Sequence, residues 1–543
     1  MTRGGGRSWP AGAALTLLLA WLVLYPIVLL VLDGMHGDAL RTFASRSGEW
    51  HALWASVWIS LASVVLAALI GVPLAFLFEW FDFPGRKLLG SLIALPAVLP
   101  PFVGVIAFLF LYGESGFAAR FLQYLFRFQE APWHLQGAGA ILLVHAYSMY
   151  VYFYLFARAG LARLDAATLE AAQALGAGRW RTLTRVILPL IRPSLAGAAL
   201  LTFMTSLGSF SAPYVFGGGF RVMTTQIFAS KQNGEMGVAL VETVALALVA
   251  LMGLAVLRHT EGDAILAGLG KGTAPQRRAL RRPLVRLATT VAGWGFAVLL
   301  LLPHATLLLV SLVPYATWTT ETLPPVLGLV NYGRLFAEPE QLEPLVNSLW
   351  MAAASTAAAV AVALAAGWLV VRRRVVLRRV IEGLLALPWA LPGTVFAIAL
   401  ATAFSVSAPL QLRWVLVGTI GILPLAYFVR NLPVTGRAIL AGYRQLDPAL
   451  EEAAASLGAS PWRTMRRVTL PLLRPALAAG ASLAFVAALG DFVTSILLYT
   501  YRNRPISMEI NAALRVSEMG VAAAFGVVLM VVSAVVLGIG ARR

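Results

Sequence analysis

Residues 170–193 read EAAQALGAGRWRTLTRVILPLIRP, and residues 452–475 read EAAASLGASPWRTMRRVTLPLLRP. The two stretches align without gaps at an offset of 282, with 16 identities in 24 positions. Flanking matches keep the register: Gly160 with Gly442, Leu164-Asp165 with Leu446-Asp447, and Leu207-Gly208 and Phe210 with Leu489-Gly490 and Phe492. Upstream the offset becomes 292, where Ala94-Leu95-Pro96 and Leu99-Pro100 match Ala386-Leu387-Pro388 and Leu391-Pro392. Downstream, Glu235-Met236-Gly237-Val238-Ala239 matches Glu518-Met519-Gly520-Val521-Ala522. The chain is a tandem duplication, and its repeat governs how every other feature is read.

The solvent of each copy follows from composition. Of 543 residues, 59% are hydrophobic and 12% charged, with mean hydropathy +0.81. Soluble proteins carry about 25% charged residues, so there is too little polar sequence to cover a soluble enzyme. Cysteine is absent, which excludes disulfides, thiolate metal sites and thiol catalysis, and the six His are not at metal-ligand spacing. Apolar runs long enough to span a bilayer fall at 11–32, 52–78, 90–112, 136–157, 194–215 and 237–257, then at 286–313, 345–371, 383–406, 412–429, 476–499 and 519–540. The first follows Arg3 and Arg7 like a signal peptide, but its apolar stretch is too long for a cleaved core and reads as a retained span. The expected fold is an all-α membrane protein of twelve transmembrane helices in two tandem six-span repeats, 1–262 and 286–543, joined by a basic linker at 263–285. Six is even, so both copies enter the membrane in the same sense, and a pseudo-two-fold axis along the membrane normal can relate them.

The net charge of +18 reads as topology. With the N-terminus inside, 31 of the 42 Lys and Arg fall on inward stretches, which places both termini in the cytoplasm under the positive-inside rule. The basicity therefore calls for membrane lipid as a partner and for no nucleic acid.

The best-matched segment is then a cytoplasmic loop, and a loop matched this closely suggests work outside the bilayer. Asp447-Pro448 reads as an N-cap followed by proline at the first helical position, and Asp165 holds the same place in the first copy. A short Ala/Glu helix follows, ending at Gly176 or Gly458. Ser460-Pro461 begins another helix, expected to stop at Leu470-Pro471. A helix of about ten residues is too short to hold in water without packing on something. Two copies at equivalent points suit a two-fold soluble partner. A surface helix held to lipid phosphates by Arg is the plainer alternative.

Glu-Ala-Ala, three residues, Gly, nine residues, an aliphatic, one residue and Leu-Pro resembles the signature loop of permease subunits in binding-protein-dependent ABC importers. The first copy supplies Glu170, Ala171, Ala172, Gly176, Val186 and Leu188-Pro189; the second supplies Glu452, Ala453, Ala454, Gly458, Val468 and Leu470-Pro471. Valine for the usual isoleucine is the one departure. The resemblance implies the type I ABC importer permease fold, with EAA loops at about 160–193 and 442–475 whose short helices couple to a homodimeric ATPase subunit on the cytoplasmic side. It also implies a periplasmic or lipid-anchored solute-binding protein and a place in the bacterial inner membrane. The fused two-copy form resembles permeases for ferric iron, thiamine and related solutes. Leu207–Phe220 with Thr224-Thr225-Gln226-Ile227 looks most like the ferric-iron group, and polyamine or phosphonate remain alternatives.

No phosphate loop of the G-x-x-x-x-G-K-[ST] kind occurs, and the glycine-rich run 268–273 (GLGKGT) is wrongly spaced for one. The chain is expected to be a transport subunit and not an enzyme, with no cofactor of its own; ATP and Mg would bind the partner subunit. Charges within spans are pathway candidates. Asp491 is the clearest, about 25 Å along the helix from Arg474, and its repeat partner is Ser209. Glu242, early in the sixth span, reads as interfacial. Pro96, Pro100, Pro388 and Pro392 interrupt helices at equivalent depths, and read as pathway-lining breaks or as simple kinks. Tyr147, Tyr150, Tyr152 and Tyr154 read as an interfacial belt, and His145 as a hydrogen-bonded packing residue. The competing function is an ion-coupled secondary transporter, which can also place twelve spans in two parallel halves.

Overall fold

The computed structural model describes residues 5–35, 37–94, 96, 100–261, 277–280, 282–314, 324, 326–406, 408–409 and 415–541. The glycine-rich run 268–273, most of the linker, and Arg3, Arg542 and Arg543 lie outside the described residues.

One succession of helices occurs twice. The first half builds α1 (Trp9–Gly34), α2 (Ser47–Trp80), α3 (Arg86–Ile93), α4 (Pro101–Tyr112), α5 (Gly137–Leu161), α6 (Ala166–Ala174), α7 (Arg179–Leu207), α8 (Met223–Gln232) and α9 (Met236–Val256). The second builds α10 (Pro283–Ser311), α11 (Pro339–Arg372), α12 (Arg378–Ala390), α13 (Gly393–Ala403), α14 (Ile422–Gln445), α15 (Pro448–Ser456), α16 (Pro461–Leu489), α17 (Ile506–Arg515) and α18 (Met519–Gly540). Among the described residues the one β pairing is two residues long, Phe81–Asp82 against Arg278–Ala279. Helices satisfy their backbone groups within one segment, which is what a chain this apolar requires in lipid.

The duplication is visible in the packing. α2 lies along α5 and α7, as α11 lies along α14 and α16. Ser56 on α2 accepts from the N–H of Met223 at the start of α8 (2.7 Å), and Ser348 on α11 accepts from Ile506 at the start of α17 (2.8 Å). The matched Glu235 and Glu518 each hold an arginine from the segment before the long helix, Arg46 at 2.6 Å and Arg334 at 3.1 Å. The halves also exchange partners: α1 packs on α12 and α13, while α10 packs on α3 and α4. The largest hydrophobic core accordingly draws residues from both halves.

The repeated prolines break a span in each half. α3 ends at Ile93 and α4 begins at Pro101, while α12 and α13 meet at a bend of 113°. A break frees carbonyls that must find donors inside the protein. Tyr150 donates its hydroxyl to the carbonyl of Ile93 (2.5 Å), Tyr154 to Gly90 (3.4 Å) and Tyr147 to Leu300 on α10 (2.9 Å). These tyrosines are therefore not the interfacial belt their spacing suggested. Tyr150 and Tyr154 are fully buried, because their hydroxyls serve the broken span. Tyr150→Phe removes the donor to Ile93 and is expected to destabilise by about 1–3 kcal/mol. A lowered melting temperature in detergent checks this, and an unchanged one would mean that the carbonyl is satisfied elsewhere.

Two expectations need detail. By length and apolarity alone, ten helices among the described residues can cross a membrane, and eleven if the bent pair counts as one span. The span expected at 412–429 starts late, since residues 415–421 are not helical. Its helix is α14, which begins at Ile422 and carries Arg430, Asn431 and Arg437. Fourteen of its 24 residues are buried, and a helix enclosed by neighbours need not be apolar all round. The helices entering at Arg179 and Pro461 also do not stop at Leu188-Pro189 and Leu470-Pro471. Each runs on through a π turn, Leu183–Ile187 and Met465–Thr469. Proline offers no N–H and crowds the carbonyl four residues back, and the wider turn absorbs both.

Candidate functional site

The two loops have one geometry. Asp165 accepts the N–H of Ala167 (3.1 Å) and Asp447 that of Ala449 (2.9 Å), which fixes the starts of α6 and α15. Both helices end in a left-handed glycine, Gly176 at φ +77° and Gly458 at φ +78°. The following N–H closes the last turn, Ala177 to Ala172 and Ala459 to Ala454, each at 3.0 Å. Neither helix buries a residue. Glu170, Ala171 and Gly176 are exposed with Ala172 half-buried, and Glu452, Ala453, Gly458 and Ala454 repeat that pattern. Beside each glycine stands a bare leucine, Leu175 and Leu457, both 88% exposed, followed by Trp180 and Trp462 at 75% and 73%. Sequence reading passed over these four residues, although each pair is identical within the aligned block. Large apolar side chains are thus held out to solvent twice, at matched positions of the two loops.

Between the halves the breaks interlock. A Cβ on Gly490 would lie 2.5 Å from Cβ of Pro100, and one on Gly208 would lie 3.5 Å from Cα of Pro392. Each half thus sets its glycine against the other half's proline. Phe102 of α4 stacks on Phe492 at 3.7 Å between ring centroids and 5° between planes, and Phe210 reaches the same ring at 5.8 Å. Phe210 and Phe492 are repeat partners that meet each other. Pro96 and Pro388 are buried.

The polar candidates beside this closure are occupied. Asp491, with a side chain 9% exposed, receives Nη1 of Arg430 at 2.6 Å and the N–H groups of Thr494 and Ser495 at 2.8 and 3.2 Å. It is therefore paired and also caps the helix Val493–Leu498. Arg430 stands within α14. On the other side, Ser209 meets His145 Nε2 at 2.9 Å, while His145 Nδ1 lies 2.9 Å from Ser63 and 3.2 Å from Ser206. Thr224 donates to the carbonyl of Ser209 (2.7 Å) as Ser507 does to that of Asp491 (2.8 Å), so scaffold contacts repeat where side-chain chemistry differs.

Glu242 is fully buried rather than interfacial. α8 folds over it, Ser230 donates to it at 2.6 Å, and a second buried carboxyl, Glu49 of α2, adjoins it with Gln226 donating to Glu49 at 3.1 Å. Glu49 was missed because it falls just before the apolar run at 52–78 and so was not counted as a charge within a span. Among the described residues no group of three His, Asp or Glu is placed to hold a metal ion.

The family described as binding-protein-dependent transport system inner membrane component matches twice, at residues 67–262 and 358–542. The chain belongs to this family. Each match contains one of the two loops, so the permease carries two copies of the family's domain in one chain. It is 31% identical to a probable ABC transporter permease protein of Sinorhizobium fredii over 91% of its own length and 89% of that protein's. It is 29% identical to the ferric transport system permease protein of Actinobacillus pleuropneumoniae, covering 81% of this chain and 63% of that one. The thiamine transport system permease protein of Escherichia coli is 27% identical, covering 82% of this chain and 79% of that one. The permease is accordingly a multi-pass inner membrane component of a binding-protein-dependent transporter, and the tandem organisation extends along most of its length.

Proposed function

We propose that the permease is the membrane-spanning part of an ATP-driven ABC importer that moves a small solute inward by alternating access. The observation that carries this reading is the duplicated loop, which holds Leu175, Leu457, Trp180 and Trp462 exposed. A homodimeric ATPase subunit on the cytoplasmic side takes up both loops and binds ATP and Mg itself. Closure of that dimer draws α6 and α15 together. α7 and α16, continuous with the loops, carry the motion to the contacts of Pro100 with Gly490 and Pro392 with Gly208. As those contacts part, solute from a periplasmic or lipid-anchored binding protein enters between the halves, past Asp491, Ser209 and the segments around Pro96 and Pro388. Both termini lie in the cytoplasm.

The solute proposed is ferric iron, supported by the similarity to the ferric system and by Leu207–Phe220 with Thr224-Thr225-Gln226-Ile227. The test is uptake of radiolabelled ferric iron and of radiolabelled thiamine by cells with and without the permease. Permease-dependent iron uptake that ATP depletion abolishes supports the reading. Thiamine uptake alone would overturn the solute, and uptake that survives ATP depletion but collapses with an uncoupler would overturn the ATP-driven mechanism.

Leu175→Ser with Leu457→Ser is expected to leave the melting temperature unchanged, since both side chains are exposed. Recovery of the ATPase subunit on affinity purification should fall by about tenfold or more. Undiminished recovery would remove these leucines from the interface.

A further inference from the structure

The two loops are fastened to the bundle by different chemistry. In the second half the guanidinium of Arg372, the last residue of α11, makes three contacts. Its Nε lies 3.1 Å from Oε2 of Glu451 on α15. Its Nη2 donates to the carbonyl of Leu446 at 3.1 Å, between the end of α14 and the capping Asp447. Its Cζ also stands 5.9 Å from the ring centroid of Tyr443 on α14. The other oxygen of Glu451 accepts from Thr469, in the π turn of α16, at 2.8 Å. With side chains 11% and 25% exposed, Arg372 and Glu451 are largely shielded from water. One arginine thus joins α11, the end of α14 and α15, and Glu451 extends the joint to α16.

At the repeat offsets of 292 and 282 the first half carries Trp80, Leu169 and Ile187 in place of Arg372, Glu451 and Thr469. None of the three can be charged. Trp80 and Leu169 pack against the buried cluster that contains Ile187. The same joint is closed by apolar contact in one half and by an ion pair with hydrogen bonds in the other. All three positions are apolar in the first half, and they are charged or hydroxylic and in mutual contact in the second. α15 buries no residue of its own, and a helix this short is not stable in water alone, so its order depends on how it is tied down.

We propose that Arg372 is the positioning residue of the second loop, holding α15 in register with α11 and α16, and that Arg372, Glu451 and Thr469 are exchangeable as a set for the apolar trio of the first half. The meaning of this joint for transport rests on the reading that the loops take up the motion of an ATPase, whereas the anchorage can be tested without that partner. Hydrogen exchange of the full chain in detergent supplies the test. Arg372→Gln is expected to speed exchange of the α15 amides by about tenfold while leaving the α6 amides unchanged, which also controls for folding. Arg372→Trp with Glu451→Leu and Thr469→Ile is expected to restore α15 protection. In complexes with the co-purified ATPase, Arg372→Gln should keep ATP hydrolysis and lose most solute uptake. Unchanged α15 exchange in Arg372→Gln, or failure of the triple variant to restore protection while α6 stays protected, would overturn the proposal. If α15 loosens as expected but no ATPase co-purifies, the joint stands and the importer reading fails.

Discussion

Replacing both Gly176 and Gly458 with valine is expected to cut solute uptake by more than about tenfold while leaving the chain inserted and folded. The two glycines stand at φ +77° and +78°, and a Cβ at either position would meet nothing within 4 Å. The penalty is therefore one of backbone conformation and not of collision. A side-chain-bearing residue loses about 1–2 kcal/mol in the left-handed region, and a β-branched residue is a sharper misfit there. α6 and α15 bury nothing that could offset that loss, so their last turns should unwind and displace Leu175 and Leu457 from their capped positions. The bundle, which those helices do not help to fill, should keep its melting temperature. Asparagine tolerates the left-handed region, so Gly176→Asn with Gly458→Asn should retain most uptake. Undiminished uptake in the valine pair would contradict a coupling role for these turns.

The other large effect is expected at Arg430. Arg430→Ala leaves the carboxylate of Asp491, 9% exposed, without its cation. Breaking a buried pair from one side costs about 3–5 kcal/mol, and solvent reaching the one-third-exposed guanidinium puts this case at the lower end. At the offset of 282 the first half carries Ser148 and Ser209 at these positions. Arg430→Ser with Asp491→Ser removes both charges together, and serine can still cap Val493–Leu498. Most of the lost stability should return in that double variant. Melting temperatures of the wild type, the two single serine variants and the double variant close the cycle. A double variant as unstable as the sum of the singles would show that the two residues are not coupled.

Much of the fold lies open in the sequence because duplication and helix punctuation are local signals. The offset of 282 pairs Asp165 with Asp447 and Gly176 with Gly458, and all four occupy the expected ends of α6 and α15. The prolines around 96–100 and 388–392 mark breaks for the same reason: a missing N–H acts where it occurs. What escaped notice depends on contacts between distant segments. Arg430 and Asp491 are 61 residues apart, and with both partners enclosed α14 falls below the apolarity of a lone span. Tyr150 and Tyr154 alternate with small and apolar residues as a belt would, yet their hydroxyls answer carbonyls 57 and 64 residues away. The π turns at Leu183–Ile187 and Met465–Thr469 show that a Leu-Pro pair does not end a helix that can widen by one residue. Leu175, Trp180, Leu457 and Trp462 are ordinary apolar residues in the sequence, and only their exposure identifies them as a surface.

The claim that α6 and α15 are the seats of an ATPase is tested most directly by site-specific crosslinking. A photoreactive residue at Glu170 or at Glu452, followed by gentle solubilisation, affinity purification and mass spectrometry, should yield one and the same ATPase subunit bonded to each position. Recovery of the intact permease with no ATPase at either position would contradict the coupling role of the loops.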